Sequence, residues 1–458
     1  MKRICFVFVL ALAPALAGAQ MPNTLSAADK IYGLSKFWQE VNYNFVYLNK
    51  VDRAAWDSLY RSMIVSVQAT KDDYEFYREM DRFCAFLQDG HTNIRYPQGV
   101  DSLLYTSMFG RDRLFLTNID GRAIVTRTNP GLKDGVPIGS EITKVNGLRT
   151  QDYLRLHVTP YISSSTGYVR DDLAVQRLLR GPRGSRFEIT FVTPAGEERR
   201  LALVHEKSMD EEVYPPFEKR ELLDLTWHPG GIAQVALNSF GDRRIDTLFF
   251  RILPELRAAK GLIIDLRNNG GGSTGIGTTI LRYLTNSRVL FGSRTSSRLH
   301  IPAYKAWGSW QTAADTGESE WARTSYLHFH DAAYHMFDWD PDTNAVADSA
   351  LVVPTALLIS HMTASAAEDF LIAADGQKHM TKIGQRSFGS TGQPFAFPLP
   401  GGGSARVCTK RDTYPDGREF VGAGVKPDIE ITPTVRDFIE NRDPVLDAAL
   451  RHLREAVH

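Results

Sequence analysis

The chain has 458 residues, 43% apolar and 23% charged, with 53 basic side chains against 53 acidic ones. Zero formal net charge excludes a general nucleic-acid binder and a polybasic membrane-surface protein. At roughly 150 residues per domain the length predicts about three domains, large enough to bury cores without disulfide or metal staples.

Lys2 and Arg3 precede an apolar run at 4–17, and Ala17-Gly18-Ala19 supplies a small-x-small site. That is the layout of a secretory signal peptide, and the run is short for a membrane span. Residues 1–19 are read as that signal, the protein as exported (periplasmic or secreted), with no membrane span after cleavage. Cys5 lies in the signal. Cys84 and Cys408 stand in no CxxC or metal-ligand spacing and read as two buried thiols, with a disulfide between them in an oxidising compartment as the alternative.

Residues 20–101 read as helical, because Ile31, Leu34, Trp38, Val41 and Phe45, then Tyr74, Tyr77, Met80, Phe83 and Leu87, recur at three and four. Thr70 with Asp73 is the start signal for the later helix. Asp89-Gly90 breaks the pattern, and 92–96 alternates like a short strand. Residues 102–207 turn strand-like, at 114–117, 123–126, 141–145 and 187–192, with turn signals between them. From 208 to 440 the order is strand 232–236, helix 242–259, strand 261–266, a glycine turn and helix 277–283. Strand 352–360, helix 364–374 and strands toward Ile431 follow. Such alternation implies an α/β layer architecture. A tryptophan- and histidine-rich insertion at 296–350 interrupts it, read as a cleft wall or a homo-oligomer contact. Residues 441–458 close the chain with a short helix.

Three constellations compete for chemistry. Gly270, Gly272 and Gly275 spell GxGxxG, yet no acidic residue ends a second strand about 20 positions on, which disfavours a dinucleotide site. Gly271-x-Ser273-x-Gly275 fits the nucleophile elbow of α/β-hydrolases, with His328, His335, His361 and His379 downstream, and keeps an esterase acting through Ser273 open. The same glycines can instead expose backbone N–H groups to a developing oxyanion.

The second constellation, Thr363-Ala364-Ser365-Ala366-Ala367-Glu368, sets a serine at a strand-to-helix turn, where the helix N-terminus favours an anion. The letters S-x-x-E equally spell a capping box, which needs no chemistry. The third, Gly389-Ser390-Thr391-Gly392, reads as a turn, and His91 taken alone reads as a turn histidine. His328, His330, Asp331 and His335 fit no common metal site and read as a polar loop, so neither metal nor cofactor is implied.

Six words in order carry a resemblance. They are QDGHT at 88–92, GLKDGVPIGSEITKVNG at 131–147 with LLRGPRGSRFEITFV at 178–192, IDLRNNGGG at 264–272, TASAAEDF at 363–370, GQRSFGSTG at 384–392 and GVKPDIEI at 424–431. Together they resemble the C-terminal processing, tail-specific and tricorn-type serine peptidases. The resemblance implies an α/β fold: a crotonase-like (ββα spiral) peptidase core at 208–440, an N-terminal helical region at 20–101 and a PDZ-like β-rich insertion at 102–207. It implies a serine endopeptidase that takes a peptide or unfolded protein and forms an acyl-enzyme on Ser365.

One branch of that family activates the serine with a lysine in a GKG word. Ser390 occupies that position here, so the resemblance points to the tricorn-like branch, with His91 as general base. It implies the N–H groups of Gly271 and Ala366 as oxyanion donors. The orienting glutamate of that branch falls at Val421, so Glu419, two residues earlier and on the same side of a strand, is proposed in its place. The serine that precedes the histidine in tricorn is Gly90, and Ser390 is expected to hydrogen-bond in the site. A non-catalytic protein binding a peptide or hydrophobic ligand on the same fold is the rival reading.

Overall fold

The computed structural model describes residues 20–457, and the signal assignment at 1–19 lies outside them. Six strands form the central sheet. Leu223–His228 pairs antiparallel with Ile232–Leu237, after which Gly261–Asp265, Thr355–Ile359, Met380–Gly384 and Ile429–Glu430 add in parallel. Parallel neighbours need crossovers. Helices Arg244–Leu256, Thr274–Arg282 and Ala366–Ala373 lie on those crossovers. Leu262, Ile264, Leu357 and Ile359 pack toward these helices, with Phe249, Leu281 and Phe370. The alternate residues Ile263, Ala356 and Leu358 pack with Val445, Ala449 and Leu453 of the closing helix Pro444–Val457. This period-two division buries both faces of the sheet.

Helices Ala27–Asn44, Arg53–Gln68 and Asp73–Ala85 pack around Phe37, Trp56, Met63, Phe76 and Phe83, with the Trp56 and Phe83 rings stacked at 4.1 Å. Asp72, rather than Thr70, caps the third helix by accepting from the Glu75 N–H, and the Thr70 hydroxyl donates to the Val67 carbonyl. This core reaches well beyond residue 101. Phe397, Leu399, Ala405 and Val407, from the hairpin Pro394–Pro398/Ser404–Cys408, complete it. Strand Asn93–Arg95 joins the same hairpin, Asn93 opposite Arg406.

Between these units in sequence, an antiparallel sheet runs Glu198–Val204, Arg186–Val192, Glu141–Val145, Arg122–Thr128, Asp112–Ile119 and Met108–Phe109. Helices Thr150–His157 and Gly167–Gln176 accompany it, and it keeps a separate apolar core. The insertion is not a loop. Strand Arg294–Arg298 pairs with Tyr334–Met336 and Arg411–Thr413, and helices Pro302–Gly308 and Glu320–Phe329 lie between. Its polar residues divide among local partners. His328 Nδ1 bonds the Thr324 carbonyl, the His330 ring lies on Tyr326, and Asp331 pairs with Arg298 and Lys305. Among the described residues no helix is long and apolar enough to cross a membrane, and Cys84 and Cys408 are buried free thiols.

Candidate active site

Strands Gly261–Asp265 and Thr355–Ile359 are parallel neighbours, so they end on one edge of the sheet. Crevices form outside the carboxyl ends of such strands. Asn269, in the loop after the first, knits the two loops together. Its carbonyl accepts from the Ala364 N–H at 3.0 Å, its amide donates to the Leu237 carbonyl at 2.9 Å, and its Oδ1 accepts from the Gly271 N–H at 2.9 Å. Gly271, at φ 95°, stands against the serine loop: a Cβ there would lie 2.7 Å from Ser365 Cβ and 2.9 Å from Ala366 N. Only glycine permits this approach.

Ser365 adopts φ 56°, ψ −122°, a backbone strained for any residue bearing a Cβ. The Glu368 N–H donates to the Ser365 carbonyl at 2.7 Å and the Ser365 N–H donates to Glu368 Oε2 at 3.0 Å, within the capping box that S-x-x-E spells. Ala366 N–H makes no hydrogen bond among the described residues, whereas that of Gly271 is held by Asn269. Of the two expected oxyanion donors, one is therefore open and one is engaged.

Glu368 does more than cap. Its buried carboxyl accepts at Oε1 from Ser387 Oγ (2.5 Å) and Gly389 N–H (2.7 Å), and at Oε2 from the N–H groups of Ser365 (3.0 Å) and Ser390 (3.3 Å). Burial pushes this carboxyl up to about 8, against four donors that each favour the carboxylate. Glu368 thereby ties the Ser365 loop to the Ser390 loop through a single side chain.

His91 reaches the same place along the hairpin. Strand Asn93–Arg95 adds to Ser404–Cys408, and the Cys408 N–H donates to Thr92 Oγ1 at 3.0 Å. The hairpin begins soon after Ser390, and His91 Nδ1 lies 2.7 Å from Ser390 Oγ. Gly90 leaves the room for this, since a Cβ there would fall 2.7 Å from Phe388 Cε1 and 3.0 Å from Ser390 Oγ. Burial, then Arg406 and Lys410, lower the imidazole to about 4, with Asp412 opposing. It is neutral near pH 7. With Nδ1–H donating to Ser390, Nε2 would carry the lone pair. Among the described residues no hydrogen bond joins His91 directly to Ser365; the link runs through Ser390 and Glu368.

Glu419 is not the orienting carboxylate in this structure. It pairs with Lys50 at 2.9 Å and with Arg411, at a position more than a third exposed. Strand parity indicated its side but not its partner. Val421, at the position where the glutamate was sought, instead lines a cavity of about 400 Å³ with Phe45, Tyr47, Phe86, Leu87 and the turn at Gln88-Asp89. Ser273 stands apart: its N–H donates to the Phe240 carbonyl, and no histidine is hydrogen-bonded to it among the described residues. His361 is held by Asp172 and His379 by the Leu284 carbonyl. Sequence reasoning passed over Asn269 as a hub; an asparagine two residues before a glycine, able to accept from the latter's N–H, was the available signal.

Among known proteins, residues 231–431 match Peptidase family S41. The chain carries a peptidase S41 domain. The protein is thus a peptidase, and its S41 domain coincides with the parallel sheet and the loops that hold Gly271, Ser365 and Ser390. The chain is 23% identical over 429 residues to a chloroplastic C-terminal processing peptidase of Tetradesmus obliquus, covering 89% of this chain and 76% of that one. Mature CPAF complexed with lactacystin shares the fold at a TM-score of 0.69 and 14% identity, over 94% of this chain and 99% of that one. A second structure of mature CPAF gives 0.60 at 14% identity, over 90% and 94%.

Proposed function

We propose that this S41 domain is a serine endopeptidase in which Ser365 is the nucleophile and His91 the general base. The observation that carries the reading is the shared Oε2 of Glu368, which holds the Ser365 and Ser390 N–H groups while Ser390 holds His91. Nε2 takes the Ser365 hydroxyl proton as Oγ bonds the substrate carbonyl carbon. The oxyanion forms against Ala366 N–H, and against Gly271 N–H once Asn269 releases it. Collapse breaks the C–N bond as the imidazolium returns its proton to the leaving amine, and water then hydrolyses the acyl-enzyme. Ser390 orients the imidazole from Nδ1.

The antiparallel unit at 102–207 is read as PDZ-like and as the element that presents or gates substrate, the core as crotonase-like, and the protein as exported. Peptides or unfolded proteins are its substrates. Labelling with a fluorophosphonate probe tests the assignment. Labelling is expected in the wild type, to be lost in Ser365→Ala and reduced in His91→Ala, and to persist in Ser273→Ala. Labelling lost only in Ser273→Ala would reinstate the esterase, and a wild type that neither labels nor hydrolyses peptides would favour the binding-protein reading.

A further inference from the structure

A second polar cavity, of about 150 Å³, opens between the helix Asp73–Ala85 and the helical side of the antiparallel unit, away from Ser365. Arg78, Arg177 and Arg180 all line it. Each guanidinium sits differently. Arg78 is fixed, with Nη1 donating to Tyr74 Oη (2.9 Å), Nη2 donating to the His157 carbonyl (2.8 Å) and its plane 4.0 Å from the Tyr161 ring centre. Arg180 lies over the Tyr96 ring at 5.5 Å and 3.6 Å from Asp101 at the rim. Arg177 has no carboxylate within 4.0 Å and no side-chain hydrogen bond among the described residues, although burial and the charge of Arg180 both disfavour its cationic form.

Besides Asp101 at the rim, one carboxyl of the lining faces the three cations. Asp81 accepts from Tyr96 Oη at 2.7 Å and, among the described residues, makes no ion pair within 4.0 Å. Tyr74 already accepts from Arg78, so its own hydroxyl hydrogen is left to donate, and Tyr153 contributes another phenol to the lining. The cavity is rich in donors and poor in acceptors, and its lining carries two more positive charges than negative ones.

We infer that this cavity is a binding site for a phosphate dianion, free or as a small monoester, with Arg177 as its principal ligand. Asp101 at the rim offsets one of the two excess charges, so the choice rests on donor number: three guanidinium groups and the phenols match the several oxygens of a phosphate, where a carboxylate offers two. The planar guanidinium fork suits paired phosphate oxygens, and an unpaired arginine in a partly buried wall is otherwise hard to account for. The site does not depend on the assignment of Ser365.

Calorimetric titration of the full chain with inorganic phosphate tests this, with chloride at matched ionic strength as the control. Saturable binding is expected to phosphate and not to chloride. Arg177→Gln is expected to weaken it about tenfold or more, and Arg177→Lys, which keeps the charge and loses the fork, by an intermediate factor. A parallel titration with glycerol 3-phosphate separates the sources: binding there admits an ester, and binding of inorganic phosphate alone restricts the site to the free ion. Absence of binding in both titrations, an equal response to chloride, or unchanged affinity in a folded Arg177→Gln or Arg177→Lys chain would overturn the assignment.

Discussion

Ser390 Oγ stands 2.7 Å from Nδ1 of His91, a residue 299 positions earlier in the chain. The contact exists because the hairpin that follows Ser390 accepts strand Asn93–Arg95 as a third strand. A neutral histidine needs one nitrogen fixed as donor for the other to serve as base, and the Ser390 hydroxyl is the group placed to do that. Ser390→Ala removes this partner without touching Ser365. It is expected to lower kcat about 10–100-fold with KM nearly unchanged, measured on a peptide substrate. An unchanged kcat would mean that His91 is oriented by something else.

The pH dependence follows from two buried groups that act in opposite directions. His91 titrates near 6.5 when unfolded and about 4 when folded, so between those values only the unfolded chain binds the proton, and stability falls as pH drops from 6.5 to 4. Glu368 titrates near 4.5 unfolded and about 8 folded. The native state alone then holds the proton, and stability falls as pH rises from 4.5 to 8. Melting temperature against pH should lose its acid-side slope in His91→Asn and its decline above 4.5 in Glu368→Gln. The glutamine variant is also expected to be less stable overall, by about 1–3 kcal/mol, because its amide NH₂ faces donors it cannot accept from. In the wild type the acid limb of kcat/KM is expected near pH 4. A limb near 6.5 would show that the imidazole is not shielded from solvent.

Much of this was legible from residue order. Apolar runs ending in glycine- or serine-rich turns predicted strands at 261–266 and 352–360, where the structure has Gly261–Asp265 and Thr355–Ile359, and S-x-x-E at Ser365 marked the start of a crossover helix. What the order of residues could not carry was pairing at long range. Val407 and Phe397 alternate like any strand, and nothing local says that they finish the core of helices from residues 27–85. The same limit misplaced the orienting group: parity put Glu419 on a plausible side, but its hydrogen-bond partners are Lys50 and Arg411. Helices Pro302–Gly308 and Glu320–Phe329 were hidden because tryptophans and charges share their faces, with Trp307 and Trp321 partly exposed.

Gly271 is expected to tolerate no side chain. An added Cβ would meet the Ala364 carbonyl oxygen and Ser365 Cβ at 2.7 Å, on a backbone at φ 95° that L residues avoid. The loop must move, and the Gly271 N–H, held by Asn269 Oδ1 and proposed as an oxyanion donor once released, moves with it. Loss of one oxyanion donor typically lowers kcat about 10²–10³-fold. Gly271→Ala is expected to lose at least that much, whereas Gly270→Ala, with open space around its Cβ, should retain activity within a few-fold. Equal activity in the two variants would remove Gly271 from the crevice wall.

Asp172 joins the antiparallel unit to the serine loop. Its Oδ1 accepts from Asn118 Nδ2 at 2.7 Å, its Oδ2 lies 2.6 Å from His361 Nδ1, and the His361 ring stacks on Tyr168 at 4.5 Å. Tyr168 in turn donates to the Ser387 carbonyl at 2.7 Å, so the helix Gly167–Gln176 is fastened to both loops of the crevice. The His361–Asp172 side chains are about a fifth exposed, and such a pair contributes on the order of 1 kcal/mol to global stability. Its effect should therefore be local. Asp172→Ala is expected to leave the melting temperature within a few degrees of wild type while amides at 360–365 exchange hydrogen faster and kcat falls several-fold. Asp172→Asn, which keeps an oxygen and an amide in the same space, should recover most of the protection. Exchange at 360–365 that is identical in wild type and Asp172→Ala would show that the serine loop is held by Asn269 and Glu368 alone.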